Sequence, residues 1–196
     1  MSETATIATG APRHGHDDEA IGYFYSLSLT STPPANATTA PTGTPIDGGF
    51  VGEDGPPLTA EIDAETLKDW NLDQVLQLKT GTTATLEIPV FGWGIDQAKT
   101  IYGDDSVVVT ATGFKVAWAG ELAPRRFYVL ELRGVNGAGR LIVEGQVQSP
   151  GSTQFQTSDA LRHTVTVTLF KNAAFKDAKQ RNAYFAWYDE APAVTP

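Results

Sequence analysis

The stretch from Arg126 to Asn172 constrains this chain most, because its apolar and polar residues keep the period-two rhythm of a pleated strand. Two apolar runs meet at Asn136-Gly137, a pair that readily takes the positive φ a tight antiparallel hairpin requires. Farther on, Thr164 to Phe170 alternates strictly, with Val165, Val167 and Leu169 on one side and Thr164, Thr166 and Thr168 on the other. One side is greasy and the other hydroxylated. Such a strand can bury the first face in its own core and present the second to water or to a neighbouring chain.

The same alternation recurs upstream. Ile21 to Leu29 reads as a first strand, and Ser31 to Pro45, rich in proline and threonine, reads as a long surface loop, since proline cannot donate to a ladder. Phe50 to Pro57 is dense in turn formers and Leu58 to Ile62 alternates again. Asp63 then stands where it can cap a short helical turn carrying Leu67 and Trp70 on one face. Val75–Thr80 and Thr83–Val90 read as two strands turning at Gly81. In the second, Ala84, Leu86, Ile88 and Val90 oppose Thr85 and Glu87, and Pro89 places its end at a sheet edge.

Only one helix is predicted, over residues 94–103, where Ile95, Ala98, Ile101 and Tyr102 recur at helical spacing and Gly103 occupies the C-cap position. Ser106–Ala111 and Phe114–Trp118 follow as strands around Thr112-Gly113, and Ala183–Tyr188 as an aromatic strand. The fold expected is mainly β, one domain over residues 21–190, with an N-terminal arm over 1–20 and a short tail over 191–196.

Composition narrows the function classes. A formal charge of −9 argues against a protein that grips nucleic acid by neutralising phosphates. The absence of cysteine removes disulfides and thiolate metal sites, so packing or assembly must supply stability. The first residues lack the basic and apolar regions of a secretion signal, and no apolar run is long enough to span a bilayer, which leads us to expect a soluble chain made in a cytoplasm.

No catalytic constellation can be assembled. His14, His16, Asp17 and Asp18 are metal-ligand types but fall in the arm, where nothing orients them; His163 opens a strand and reads as a packed residue. Glu53-Asp54 and Asp104-Asp105 are adjacent carboxylates in turns, where solvation is the ordinary fate, and neither a nucleophile elbow nor a phosphate loop is present. Trp70, Trp93, Trp118 and Trp187 sit on separate elements and read as core or interface anchors. The expectation is a non-enzyme with no catalytic residue, no metal and no cofactor.

Two segments resemble the major tail tube proteins of long non-contractile-tailed bacteriophages, especially those of actinobacterial hosts. APTGTPIDGGFVGEDGPPLTAEIDAETLKDW, Ala40 to Trp70, is similar to that family's Thr/Pro-rich loop, Gly-x-x-x-Glu-Asp-Gly turn and acidic strand ending in Trp. GQVQSPGSTQFQTSDALRHTVTVTLFKN resembles its final lumen-side strands, and the likeness runs over roughly residues 20 to 172. The chain departs from the pattern at Arg162-His163, where a Gly-aromatic pair is commoner, and in an unusually aromatic end.

The resemblance implies a tail-tube-type β-sandwich or barrel with a flanking helix, six copies closing into a ring, and rings stacking into a tube that conducts DNA from capsid to host. It implies a virion location in the tail after assembly in the host cytoplasm, with tape measure, tail terminator and tail-tip proteins as partners. Glu87, Glu144, Gln146, Thr164, Thr166 and Thr168 become candidates for the lumen wall, and Pro33, Pro34, Thr38, Thr39, Pro41 and Thr42 for contacts between rings. Two other readings stay open: a tail terminator or related injection-apparatus tube, and, in another class, a carbohydrate-binding or adhesion sandwich that uses the tryptophans.

Overall fold

A computed structural model of the chain describes residues 21–37, 39–51, 55–71, 73–134, 137–151, 153–154 and 162–190. The expectations for the arm, for Thr38, for Glu53-Asp54, for Asn136 and for the last six residues lie outside the described residues.

The strands are β1 (Ile21–Ser28), β2 (Ile46–Val51), β3 (Leu58–Lys68), β4 (Gln74–Phe91), β5 (Val107–Thr110), β6 (Gly113–Val116), β7 (Arg126–Gly134), β8 (Gly137–Ser149), β9 (Thr153–Gln154), β10 (Arg162–Phe170), β11 (Asn172–Lys176), β12 (Asn182–Ala183) and β13 (Phe185–Glu190). Helix α1 (Ile95–Tyr102) follows β4. The expectation of a mainly β chain with one helix at this place holds.

The main sheet runs β13-β8-β7-β1-β2-β4-β10-β9, with β3 attached to β4. β8 is long enough to serve two partners on one edge: Ala138–Val143 pair with β13, and Glu144–Val147 with Ser149 pair with β10. The β8–β10 ladder closes β8, β7, β1, β2, β4 and β10 into a cycle, so those strands lose most of their open edges.

Inside the cycle lie Phe24, Leu86, Ile88, Val90, Tyr128, Leu130, Leu141, Val143, Val165, Val167 and Leu169, each from the apolar half of an alternating strand. The expected buried set in β10 is 0%, 0% and 3% exposed at Val165, Val167 and Leu169. A second apolar layer, Tyr25, Leu27, Phe127, Val129 and Ile142, lies on the opposite face and is covered by Phe175 with Ala183, Ala186 and Tyr188. β1 and β7 are apolar on both faces because both faces are covered.

α1 buries Ala98, Thr100 and Ile101, and Ile101 joins the inner core. The Thr100 hydroxyl lies 3.2 Å from that of Ser26. Gly103 ends the helix at φ 88°, a conformation that favours glycine.

Four local expectations are corrected. The helical turn after Asp63 does not form: β3 runs unbroken to Lys68, because β4 supplies a register partner along the run and the cross-strand ladder outweighs the i, i+3 spacing. β4 is one strand of 18 residues, not two. Gly81 opposes Asp63 and the next pair is Ala64 with Lys79, so Thr80 is the extra residue of a bulge and not part of a turn. Pro89 does not end an edge strand; it falls in a gap on one side of β4, where β2 pairs only with Val90 and Phe91 and β3 pairs up to Leu86. Finally, Gly137 pairs with Gly134 and already belongs to β8, so it is not a turn residue of the hairpin.

β2 was hidden by its own glycines. Gly48 sits against the Phe24 ring, which occupies the space a Cβ would need.

Candidate functional site

The hydroxylated face of β10 lies outside the closed cycle, opposite the inner core. Register pairs share a face in antiparallel strands, and they line up Thr164 with Pro89, Thr166 with Glu87, and Thr168 with both Thr85 and Gln146. Thr164, Thr166 and Thr168 are half-buried and Glu87 is exposed. The Thr168 hydroxyl donates to Gln148 Oε1 at 2.8 Å. The structure thus brings Glu87, Gln146 and the three threonines onto one contiguous surface.

Two members of that set are engaged within the subunit. Glu144 is buried and its carboxylate accepts from Arg125 and from the Asn172 amide, so it carries no free negative charge outward. Gln146 Nε2 donates to the Ala123 carbonyl at 2.7 Å.

The loop over residues 31–45 is irregular, as expected, but folds onto its own subunit. Thr42 Oγ1 donates to Thr32 O at 3.1 Å and accepts from Thr32 N at 2.9 Å. Arg140 of β8 reaches the loop with Nη1, donating to Asn36 O at 2.8 Å and Thr39 O at 2.6 Å. Pro34 and Ala37 are buried, whereas Pro33, Thr39, Pro41 and Thr42 keep exposed or partly exposed surface. Sequence reasoning passed over Arg140 and its partner Glu131. The available signal was an acid and a base placed equally far from the hairpin turn, in otherwise apolar runs.

A third feature is aromatic. Trp93 stacks on His163 at 4.7 Å between centroids and meets Tyr102 and Phe114, while Tyr102 touches Trp118. Burial pushes the His163 pKa down, so this histidine is neutral at pH 7. Trp118 Nε1 donates to Glu121 O at 2.8 Å, which uses the one polar handle of that ring within the subunit.

Comparison with known protein families and with curated proteins finds no match for this chain. Among the described residues no three His, Asp or Glu side chains are grouped to hold a metal ion, and no helix is long and apolar enough to cross a membrane. Asp104, one of the adjacent carboxylates noted above, accepts from Arg126 at 2.5 Å.

Proposed function

We propose that this chain is a structural subunit of a bacteriophage tail tube: six copies close into a ring, and rings stack into a tube that conducts DNA during ejection. The observation that carries this reading is the contiguous outer face of Thr85, Glu87, Thr164, Thr166 and Thr168, standing in register over a closed apolar core. Hydroxyls keep a channel wall wet without offering DNA a cation. Each chain adds a charge of −9, so a ring repels the phosphate backbone and lets it pass. The tail-tube-type resemblance supplies the other members of the assembly, namely tape measure, tail terminator and tail-tip proteins. No catalytic role is part of the proposal.

Negative-stain imaging after incubation at high concentration tests it: six-fold rings or tubes are the expected result. A chain that stays monomeric at high concentration with its tail-tip partners present overturns it. Rings that never stack point instead to a terminator, and glycan binding that is lost when Trp93 or Trp187 is replaced points to an adhesion module.

A further inference from the structure

β3 and the first half of β4 leave the body of the protein as a two-stranded ribbon. Every residue of β3 is exposed, and so are Gln74 to Thr80 opposite. Two strands alone are marginal in water, yet this ribbon carries apolar side chains in the open: Ile62 at 65% exposure, Val75 at 64%, and Trp70 at its tip at 99%. Leu67 stands opposite Leu76, and Leu78 lies on the same face. Apolar surface of this kind marks a contact that the isolated subunit does not make.

A receptacle of matching chemistry lies at the base of the ribbon, beside β13. A cavity of about 360 Å³ is lined by Pro56, Leu58, Leu130, Leu141, Phe185 and Trp187. A groove of about 500 Å³ adjoins it between β11 and β13, sharing Phe185 and Trp187 and reaching Ala174 and Lys176. Among the described residues β13 pairs only with β8, and its other edge faces this groove.

Charge and reach identify the occupant. Residues 58–80 carry Glu61, Asp63, Glu65, Asp69 and Asp73 against Lys68 and Lys79, whereas residues 171–181 beside the groove carry Lys171, Lys176, Lys179 and Arg181 against Asp177. An acidic ribbon faces a basic rim. Leu58, which lines the cavity, is also the first residue of β3. At about 3.3 Å per residue the tip stands roughly 35 Å from its own base, so Trp70 cannot enter the cavity of its own chain.

We infer that the tip of the β3–β4 ribbon, led by Trp70, docks in the Phe185–Trp187 groove of a second copy of this chain. Tip and groove are different patches, so the contact is heterologous and repeats from copy to copy instead of stopping at a dimer. The inference deepens the tail-tube reading and rests on it only for the final shape of the assembly.

The chain has no cysteine, which makes the contact directly readable. One preparation carries Asn71→Cys beside Trp70 and a second carries Ala174→Cys in the groove. Mixed and treated with a short thiol-specific crosslinker, they are expected to give a covalent dimer, and the double variant a ladder on a denaturing gel. Adding Trp70→Ala is expected to cut the crosslinked fraction at least tenfold while leaving the thermal melt of the subunit unchanged. Tip-to-tip crosslinks with Asn71→Cys alone, a yield indifferent to Trp70→Ala, or tubes in the microscope with no tip-to-groove product would each overturn the inference. Tubes without the product leave the tail-tube reading standing; the product without rings or tubes removes that reading and leaves the contact.

Discussion

Arg140 Nη2 donates to Glu131 Oε1 at 2.5 Å between register partners of the β7–β8 hairpin, and both side chains are buried. Tyr25 Oη also donates to Glu131, at 3.0 Å, and Arg140 Nη1 donates to the Asn36 and Thr39 carbonyls of the 31–45 loop. Removing one member of a buried pair strands the other charge. Arg140→Met is therefore expected to cost about 3–5 kcal/mol in urea denaturation and to open the loop to proteolysis. Pairing it with Glu131→Leu should recover much of the stability without recovering the loop. A single-variant loss below about 1 kcal/mol, the range of an exposed pair, would show that the pair does not anchor the loop.

The two faces of β10 give opposite expectations. Thr166→Ile leaves the core untouched and should keep the subunit's melt within about 1 kcal/mol while altering ring assembly or DNA passage. Val167→Ala, one residue on and fully buried, should cost on the order of 2 kcal/mol by leaving a cavity. Circular-dichroism melts and negative-stain images of both variants separate these outcomes. Loss of folding in Thr166→Ile would mean that the threonine face is packed within the subunit.

Closure of the cycle depends on a small residue where β8 meets β10. Gly145 pairs with Leu169, and a Cβ at that position would run into the Val167 side chain and come to 3.0 Å from Thr168 O. Val167 is buried on the inner side and the carbonyl is backbone, so neither gives way easily. Gly145→Ala is expected to destabilise by about 1–3 kcal/mol, read as a melting point lowered by roughly 2–10 °C. An unchanged melt would show that the β8–β10 ladder tolerates displacement.

His163 makes stability depend on pH with a definite sign. Its folded pKa is held below the ordinary histidine value by burial, so as pH falls through about 6.5 the unfolded chain takes up the proton first. Stability from this group is therefore full above about pH 6.5 and declines below it, by at most about 1.4 kcal/mol per pH unit, until the folded pKa is reached. His163→Phe keeps a ring against Trp93 and should flatten this part of the profile. Denaturation midpoints from pH 7.5 to 5 for both chains check it, and equal slopes would assign the dependence to the carboxylates.

What the sequence determined by itself is local. The faces of β10, the apolar half of β4, the limits of α1 with its Gly103 cap and the β5–β6 hairpin follow from periods of two and 3.6 residues and from turn residues, all within a few positions along the chain. What only the tertiary structure decided involves partners far apart in sequence. Arg140 meets Asn36 across 104 positions and Tyr25 meets Glu131 across 106. Nothing within a few positions of Glu144 says that Arg125 and Asn172 close over it. Whether a strand face stays wet depends on what is layered upon it, and that layer comes from β11 to β13, folded back from the end of the chain. The ribbon shows the same limit from the other side: Leu67 and Trp70 keep one local pattern in either conformation, and the pairing of β3 with β4 turned it into an exposed strand and tip.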